Sequence, residues 1–181
     1  MSACGGIFDR LGWLLQHILK PLVKNVAAHI KSTVDLISRF NAIDKDALRG
    51  KIPVSFDVVS LYTNINTEEA INTTLEYMVK YEIHKYGLLT EDVWELLHLL
   101  LDNNVLSYAD LGYYQQIRGL AMGNRLSGTL AILCLDRFEC LYIYRELHPK
   151  PVVYVRFVDD VGTTVNGMRT DEAEVMLKYL N

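Results

Sequence analysis

Val152-Val-Tyr-Val-Arg-Phe-Val-Asp-Asp-Val-Gly-Thr-Thr-Val165 is the stretch whose reading decides the fold. β-Branched and aromatic residues flank Asp159-Asp160, which predicts strands over Val152–Val158 and Gly162–Val165 meeting at a hairpin tip. Adjacent carboxylates in an apolar hairpin repel one another and are costly to bury. Exposure at the tip relieves that cost, and so does a bound divalent cation. A second β-prone run, Ile52-Pro-Val-Ser-Phe-Asp57, ends on a carboxylate of its own. If the two strands are neighbours, Asp57, Asp159 and Asp160 converge. Hard oxygen donors suit Mg²⁺ or Mn²⁺, and such a set can hold two ions ~3.5–4 Å apart for in-line phosphoryl transfer. The pair also has a purely structural reading, because Asp-Asp after a strand is an ordinary turn signal.

Outward from these strands the spacing turns helical. Leu11, Leu14, Leu15, Ile18, Leu19, Leu22, Val23, Val26 and Ile30 repeat at helical intervals, with Asp9 as the expected cap and Pro21 as a kink or break. A short helix is expected over Thr33–Phe40 and a polar loop over Asn41–Lys51. Ile71, Leu75, Met78, Val79 and Ile83 form a further helix entered through Thr67-Glu68-Glu69, and Thr90-Glu91-Asp92 opens another through Leu101. Val105–Tyr108 and Tyr113–Ile117 read as a hairpin, Gly119–Arg125 as a loop, and Leu126–Leu147 as one long buried helix with Ser127 as its cap. Thr170-Asp171-Glu172 caps a last helix. The expected architecture is α+β, with helices on one face of a small antiparallel sheet.

The chain has 181 residues and is 50% hydrophobic, enough for a core. Cys4, Cys134 and Cys140 show neither CxxC spacing nor an even secreted framework, so they read as reduced intracellular thiols, the latter two in a core helix. The start lacks a basic region followed by an apolar run, so no signal peptide is expected. Asp136, Arg137 and Glu139 interrupt the most apolar stretch, which favours a buried helix over a membrane span. His17, His29, His84, His98 and His148 show no ligand spacing. Net charge is −4, unevenly spread: residues 1–51 hold 8 Lys/Arg and 4 Asp/Glu, and residues 52–181 hold 10 and 18. A basic leading segment joined to an acidic remainder fits a polymerase whose metal-binding carboxylates lie in one half, and it fits two solvated faces equally well.

Three strings carry a more specific likeness. Ser55-Phe-Asp-Val-Val-Ser-Leu-Tyr-Thr-Asn-Ile65 resembles the first palm motif of Penelope-like reverse transcriptases. Gln116-Ile-Arg-Gly-Leu-Ala-Met-Gly-Asn-Arg-Leu-Ser127 resembles their second, and Phe157-Val-Asp-Asp160 resembles the aromatic-x-Asp-Asp box common to reverse transcriptases. The order is right, and Asp57 and Asp159 stand 102 positions apart (159 − 57). Ser2-Ala-Cys-Gly-Gly and Ile18-Leu-Lys-Pro-Leu22 resemble the segment before the first motif. Asn124, Arg125 and Gly128 depart from the family pattern.

The resemblance implies an RNA-directed DNA polymerase fragment. Residues 1–51 would be a helical, basic segment at the fingers–palm junction, and residues 52–181 a palm truncated before its end, with the thumb absent. Asp57, Asp159 and Asp160 would be catalytic, and with the Val58 carbonyl would bind two Mg²⁺ or Mn²⁺ ions. Tyr62 would exclude a ribose 2′-hydroxyl, while Met122 and Gly123 would approach the nucleotide or template. Arg125 is either a phosphate contact or a solvated cation. The implied partners are an RNA template, a DNA primer and deoxynucleoside triphosphates, with no membrane, in the nucleus or cytoplasm. With basic finger residues and the thumb outside the 181 residues, the chain alone is expected to extend a primer little. The competing reading is a non-enzymatic retroelement remnant or interaction module that keeps the palm core. An aspartyl-nucleophile phosphatase fits less well, since that chemistry wants a second Asp two residues after the first and position 59 is Val.

Overall fold

The computed structural model describes residues 8–107, 111–147 and 150–166. The chain divides into two compact units, the first comprising Met1–Val26 and Ser60–Arg137, the second Ala27–Val59 and Phe138–Asn181. The expected last helix lies outside the described residues, as do Cys4, Tyr108 and His148.

The first unit is mostly helical. Its helix α1 spans Asp9–Leu19 and buries Gly12, Leu15, Ile18 and Leu19 on one face. Pro21 ends the α-helical winding, and a 3₁₀ turn continues over Lys20–Asn25 with the proline at its start, where no N–H is needed. Asp9 is not the cap. Phe8 holds that position without a side-chain bond, and the Asp9 carboxylate instead accepts from Arg125 at 2.7 Å. At Gly12 α1 lies against Asn124 and Leu100, where a Cβ would make ordinary contacts, 3.5 Å from Asn124 Oδ1 and 3.8 Å from Leu100.

In chain order there follow in the second unit α2 (Thr33–Asn41) and β1 (Lys51–Asp57), and in the first α3 (Leu61–Asn64), α4 (Thr67–Lys80) and α5 (Thr90–Leu101). Asn66, one residue before the expected cap, receives the Glu69 N–H on its side chain and starts α4. Asp92 reaches back to the Leu89 N–H at 2.7 Å and fixes the start of α5. The β2 (Val105–Ser107) and β3 (Tyr113–Gln115) strands pair antiparallel, as expected of the hairpin. Helix α6 (Ser127–Phe138) buries Leu130, Ala131, Leu133 and Leu135. Beyond it the expected long helix is wound as a π-helix over Glu139–Glu146, where Cys140 is exposed rather than in a core. Cys134 is half-buried on α6, and burial pushes its thiol pKa up to about 12. No described helix is long and apolar enough to cross a membrane.

The second unit is built on a three-stranded antiparallel sheet of order β1-β5-β4, where β4 is Tyr154–Phe157 and β5 is Asp160–Asn166. The small antiparallel sheet agrees with the sequence; its coverage differs. Apolar side chains alternate onto both faces. Val54, Phe56, Tyr154 and Val165 pack with Ile143 of the π-helical region and with Leu147 just beyond it. Val153 and Val155 pack with Ile30, Leu36, Ile43 and Leu48. The sheet is therefore covered on two faces, not one, because β4 presents Val155 on the side opposite Tyr154.

Candidate functional site

Register decides where the carboxylates fall. In the β1–β5 ladder Asp57 is the direct partner of Asp160, and in the β4–β5 hairpin Phe157 is the partner of the same Asp160. Directly opposed residues of an antiparallel pair project from the same face, so Asp57, Asp160 and Phe157 share one end of one face. Asp159 lies in the two-residue turn, and its carbonyl accepts the Val58 N–H at 3.0 Å, tying the turn to the end of β1. All three carboxylates singled out in the sequence are thus gathered at one end of the sheet. Asp57 and Asp160 are exposed and Asp159 half-buried. No described cation forms an ion pair with them. Like charges directly opposite one another in a ladder destabilise it, and a divalent cation would cancel that repulsion. Among the described residues no group of three or more His, Cys, Asp or Glu side chains is placed to hold a metal ion. The donor chemistry suits Mg²⁺, which commonly takes one or two carboxylates and completes its shell with substrate phosphates and water.

The turn itself is held under strain. Val158 has φ of +57°, a left-handed conformation that is unfavourable for a β-branched side chain. Its carbonyl accepts from Arg156 Nη1 at 3.0 Å. Arg156 in turn is clamped by Glu139 through Nε–Oε1 at 2.5 Å and Nη2–Oε2 at 3.2 Å. Both side chains are 1% exposed. The Tyr154 hydroxyl also donates to Glu139, and burial beside that carboxylate raises the tyrosine pKa. Sequence reasoning missed this pair. The available signal was a charge inside each of two apolar runs, Val155-Arg-Phe157 and the stretch around Glu139.

Tyr62 and the second motif belong to the first unit, and there the structure brings them together. The Leu120 N–H donates to the Tyr62 carbonyl at 2.7 Å. Gly119, at φ +78°, lies so close to α3 that a Cβ would stand 2.7 Å from the Tyr62 carbonyl oxygen and from Thr63 Cα, so no side chain fits. A Cβ on Gly128 would come within 3.9 Å of the Tyr62 hydroxyl. Met122 is exposed, in a loop closed by Ser127, whose hydroxyl donates to the Ala121 carbonyl at 2.6 Å instead of capping α6. Asn124 Oδ1 accepts the Leu126 N–H within the same loop. Arg125 is engaged by Asp9, so any phosphate contact would compete with that pair.

Neither a family model nor a curated protein matches the sequence. Solved structures do match the fold. A telomerase from Candida tropicalis truncated from its C-terminal domain aligns with a TM-score of 0.65 and 16% identity, over 98% of this chain and 37% of that one. A Candida albicans telomerase, in complex with a TWJ fragment of telomeric RNA, aligns with a TM-score of 0.61 and 16% identity, over 94% and 32%. The chain has a reverse-transcriptase-like fold, incomplete in that it spans about a third of the length of those telomerase chains.

Proposed function

We propose that this chain is part of the palm of an RNA-directed DNA polymerase of the Penelope-like kind, which adds deoxynucleotides to a primer 3′-hydroxyl. The observation that carries the reading is the register that sets Asp57 against Asp160 with Asp159 in the adjoining turn, in a reverse-transcriptase-like fold. Asp57, Asp159 and Asp160, with the Val58 carbonyl, would hold two Mg²⁺ or Mn²⁺ ions. Bound there, such ions lower the pKa of the attacking hydroxyl and neutralise charge on the triphosphate. The protein's own contribution is to hold its carboxylates at a fixed separation, through the β1–β5 ladder and the Arg156-anchored turn. Tyr62 is assigned the exclusion of a ribose 2′-hydroxyl, and Met122 and Gly123 the approach to nucleotide or template. RNA template, DNA primer and deoxynucleoside triphosphates are the corresponding substrates.

The test is binding of a Mn²⁺–deoxynucleoside triphosphate complex by calorimetry. Binding should be lost in Asp57→Asn and in Asp159→Asn. The matching ribonucleotide should bind less well, and Tyr62→Ala should narrow that difference. Undiminished binding in both aspartate variants would overturn the assignment and favour a non-enzymatic module that keeps the palm core.

A further inference from the structure

Helix α1 carries a solvent face that its packing does not explain. Arg10, Trp13, His17 and Lys20 recur at intervals of three, four and three, which places them on one stripe opposite the buried Leu15, Ile18 and Leu19. All four are exposed, Trp13 to 55%. A buried tryptophan would ordinarily add to a core, and here the ring is left in water. It stacks instead on His17, with centroids 5.6 Å apart and planes 9° from parallel. His17 in turn meets the ring of Tyr86 at 6.2 Å and 33°. Tyr86 is 65% exposed and is presented by a turn in which both it and Gly87 have positive φ, +59° and +71°. Lys85 fixes that turn by donating from Nζ to the His17 carbonyl at 3.1 Å.

The result is a row of three exposed rings flanked by the cations Arg10, Lys20 and Lys85. The nearby acid, Asp9, is already engaged by Arg125. A hollow of about 400 Å³ adjoins Trp13, lined by Asp9, Arg10, Leu14 and Arg125. Planar rings in series with cations along the row suit a polymer that alternates flat, stackable groups with negative charges. We infer that this face of α1 and the Tyr86 turn binds single-stranded nucleic acid, bases stacking on Trp13, His17 and Tyr86 and phosphates meeting Arg10, Lys20 and Lys85. Base–aromatic stacking is tolerant of sequence, so the site grips a strand without reading it. The surface lies wholly within the first unit and does not depend on the carboxylates of the second.

The probe is a fluorescein-labelled single-stranded oligoribonucleotide of mixed sequence, titrated with the whole chain and read by anisotropy. Trp13→Ala and Tyr86→Ala should each weaken binding by about tenfold, in keeping with what one stacked base contributes. Replacing Arg10 and Lys20 by Gln should reduce the slope of log affinity against log salt by ~0.7 for each phosphate no longer neutralised. In a Trp94→Phe background the remaining Trp13 fluorescence should be quenched as the strand binds. Asp159→Asn should bind the strand like wild type, which separates this surface from the polymerase reading. Three results would overturn the inference: no binding by wild type, unchanged affinity in a folded Trp13→Ala variant, or Trp13-dependent binding to anionic lipid vesicles but not to the oligonucleotide.

Discussion

Replacing Glu139 by Gln removes one charge from a buried pair while leaving an amide oxygen in its place. Glu139 and Arg156 are each 1% exposed and share two bonds, of 2.5 and 3.2 Å. Breaking such a pair from one side costs about 3–5 kcal/mol, because the surviving charge stays buried and uncompensated. Total stabilities are ~5–15 kcal/mol, so the loss is a large share of the whole. With urea m-values of ~1–3 kcal/mol/M, the unfolding midpoint should fall by roughly 1 M or more. Tyr154 keeps an acceptor in the Gln variant, so the loss comes from the charge and from the second bond to Arg156, where an amide N–H now faces a guanidinium N–H. Adding Arg156→Met removes the second charge and should recover much of the stability, since apolar replacement of a buried pair is often neutral or better. The assay is urea unfolding followed by circular dichroism for wild type, Glu139→Gln and the double variant. An unchanged midpoint in Glu139→Gln would refute the claim that the pair is desolvated. No recovery in the double variant would refute the claim that an orphaned charge causes the loss.

Val158→Gly should be neutral or stabilising by up to about 1 kcal/mol, as the relief of a left-handed β-branched residue outweighs the extra freedom of the unfolded chain; a clear loss in thermal unfolding would show that the turn is not strained. His29 is buried, and burial, then Arg156, Arg39 and Lys31, hold its pKa below the ordinary 6.5. Below pH 6.5 the unfolded chain therefore takes up this proton first, so stability falls as pH falls until the folded pKa is passed. His29→Gln should flatten that part of the stability–pH curve, and an unchanged slope would remove His29 as its source. With its thiol pKa pushed up to about 12, Cys134 should resist thiol reagents at pH 8 in the native chain, while the exposed Cys140 reacts; peptide mapping after labelling decides between them.

The features legible in the sequence were those with a local cause. Pro21 lacks an N–H, and the helix changes its winding there. The apolar runs around Asp159-Asp160 could pair only as a hairpin, and Asp57 could converge on them only from a neighbouring strand. What escaped depended on packing or had no periodic signature. Helix α3 is four residues long, too short for an amphipathic pattern. The π winding of residues 139–146 keeps the hydrophobic spacing of an ordinary helix closely enough to read as one. Glu139 and Arg156 are 17 positions apart and meet because the π-helical segment covers the Tyr154 face of the sheet. Ser127 has the residue type of a cap, yet the loop before it brings the Ala121 carbonyl within reach first. The interleaving of two units, with the chain passing between them at 26/27, 59/60 and 137/138, leaves no mark in composition or charge.

The polymerase assignment stands on the proposed binding of divalent metal at Asp57, Asp159 and Asp160. The most direct measurement is paramagnetic broadening of backbone amide signals on adding small amounts of Mn²⁺ to the isotopically labelled chain. The carboxylate set predicts early, selective loss of signals from residues 56–58 and 158–161, abolished by Asp57→Asn. Broadening centred instead on the acidic surface of α4, around Glu68, Glu69 and Glu76, or unchanged by Asp57→Asn, would contradict it.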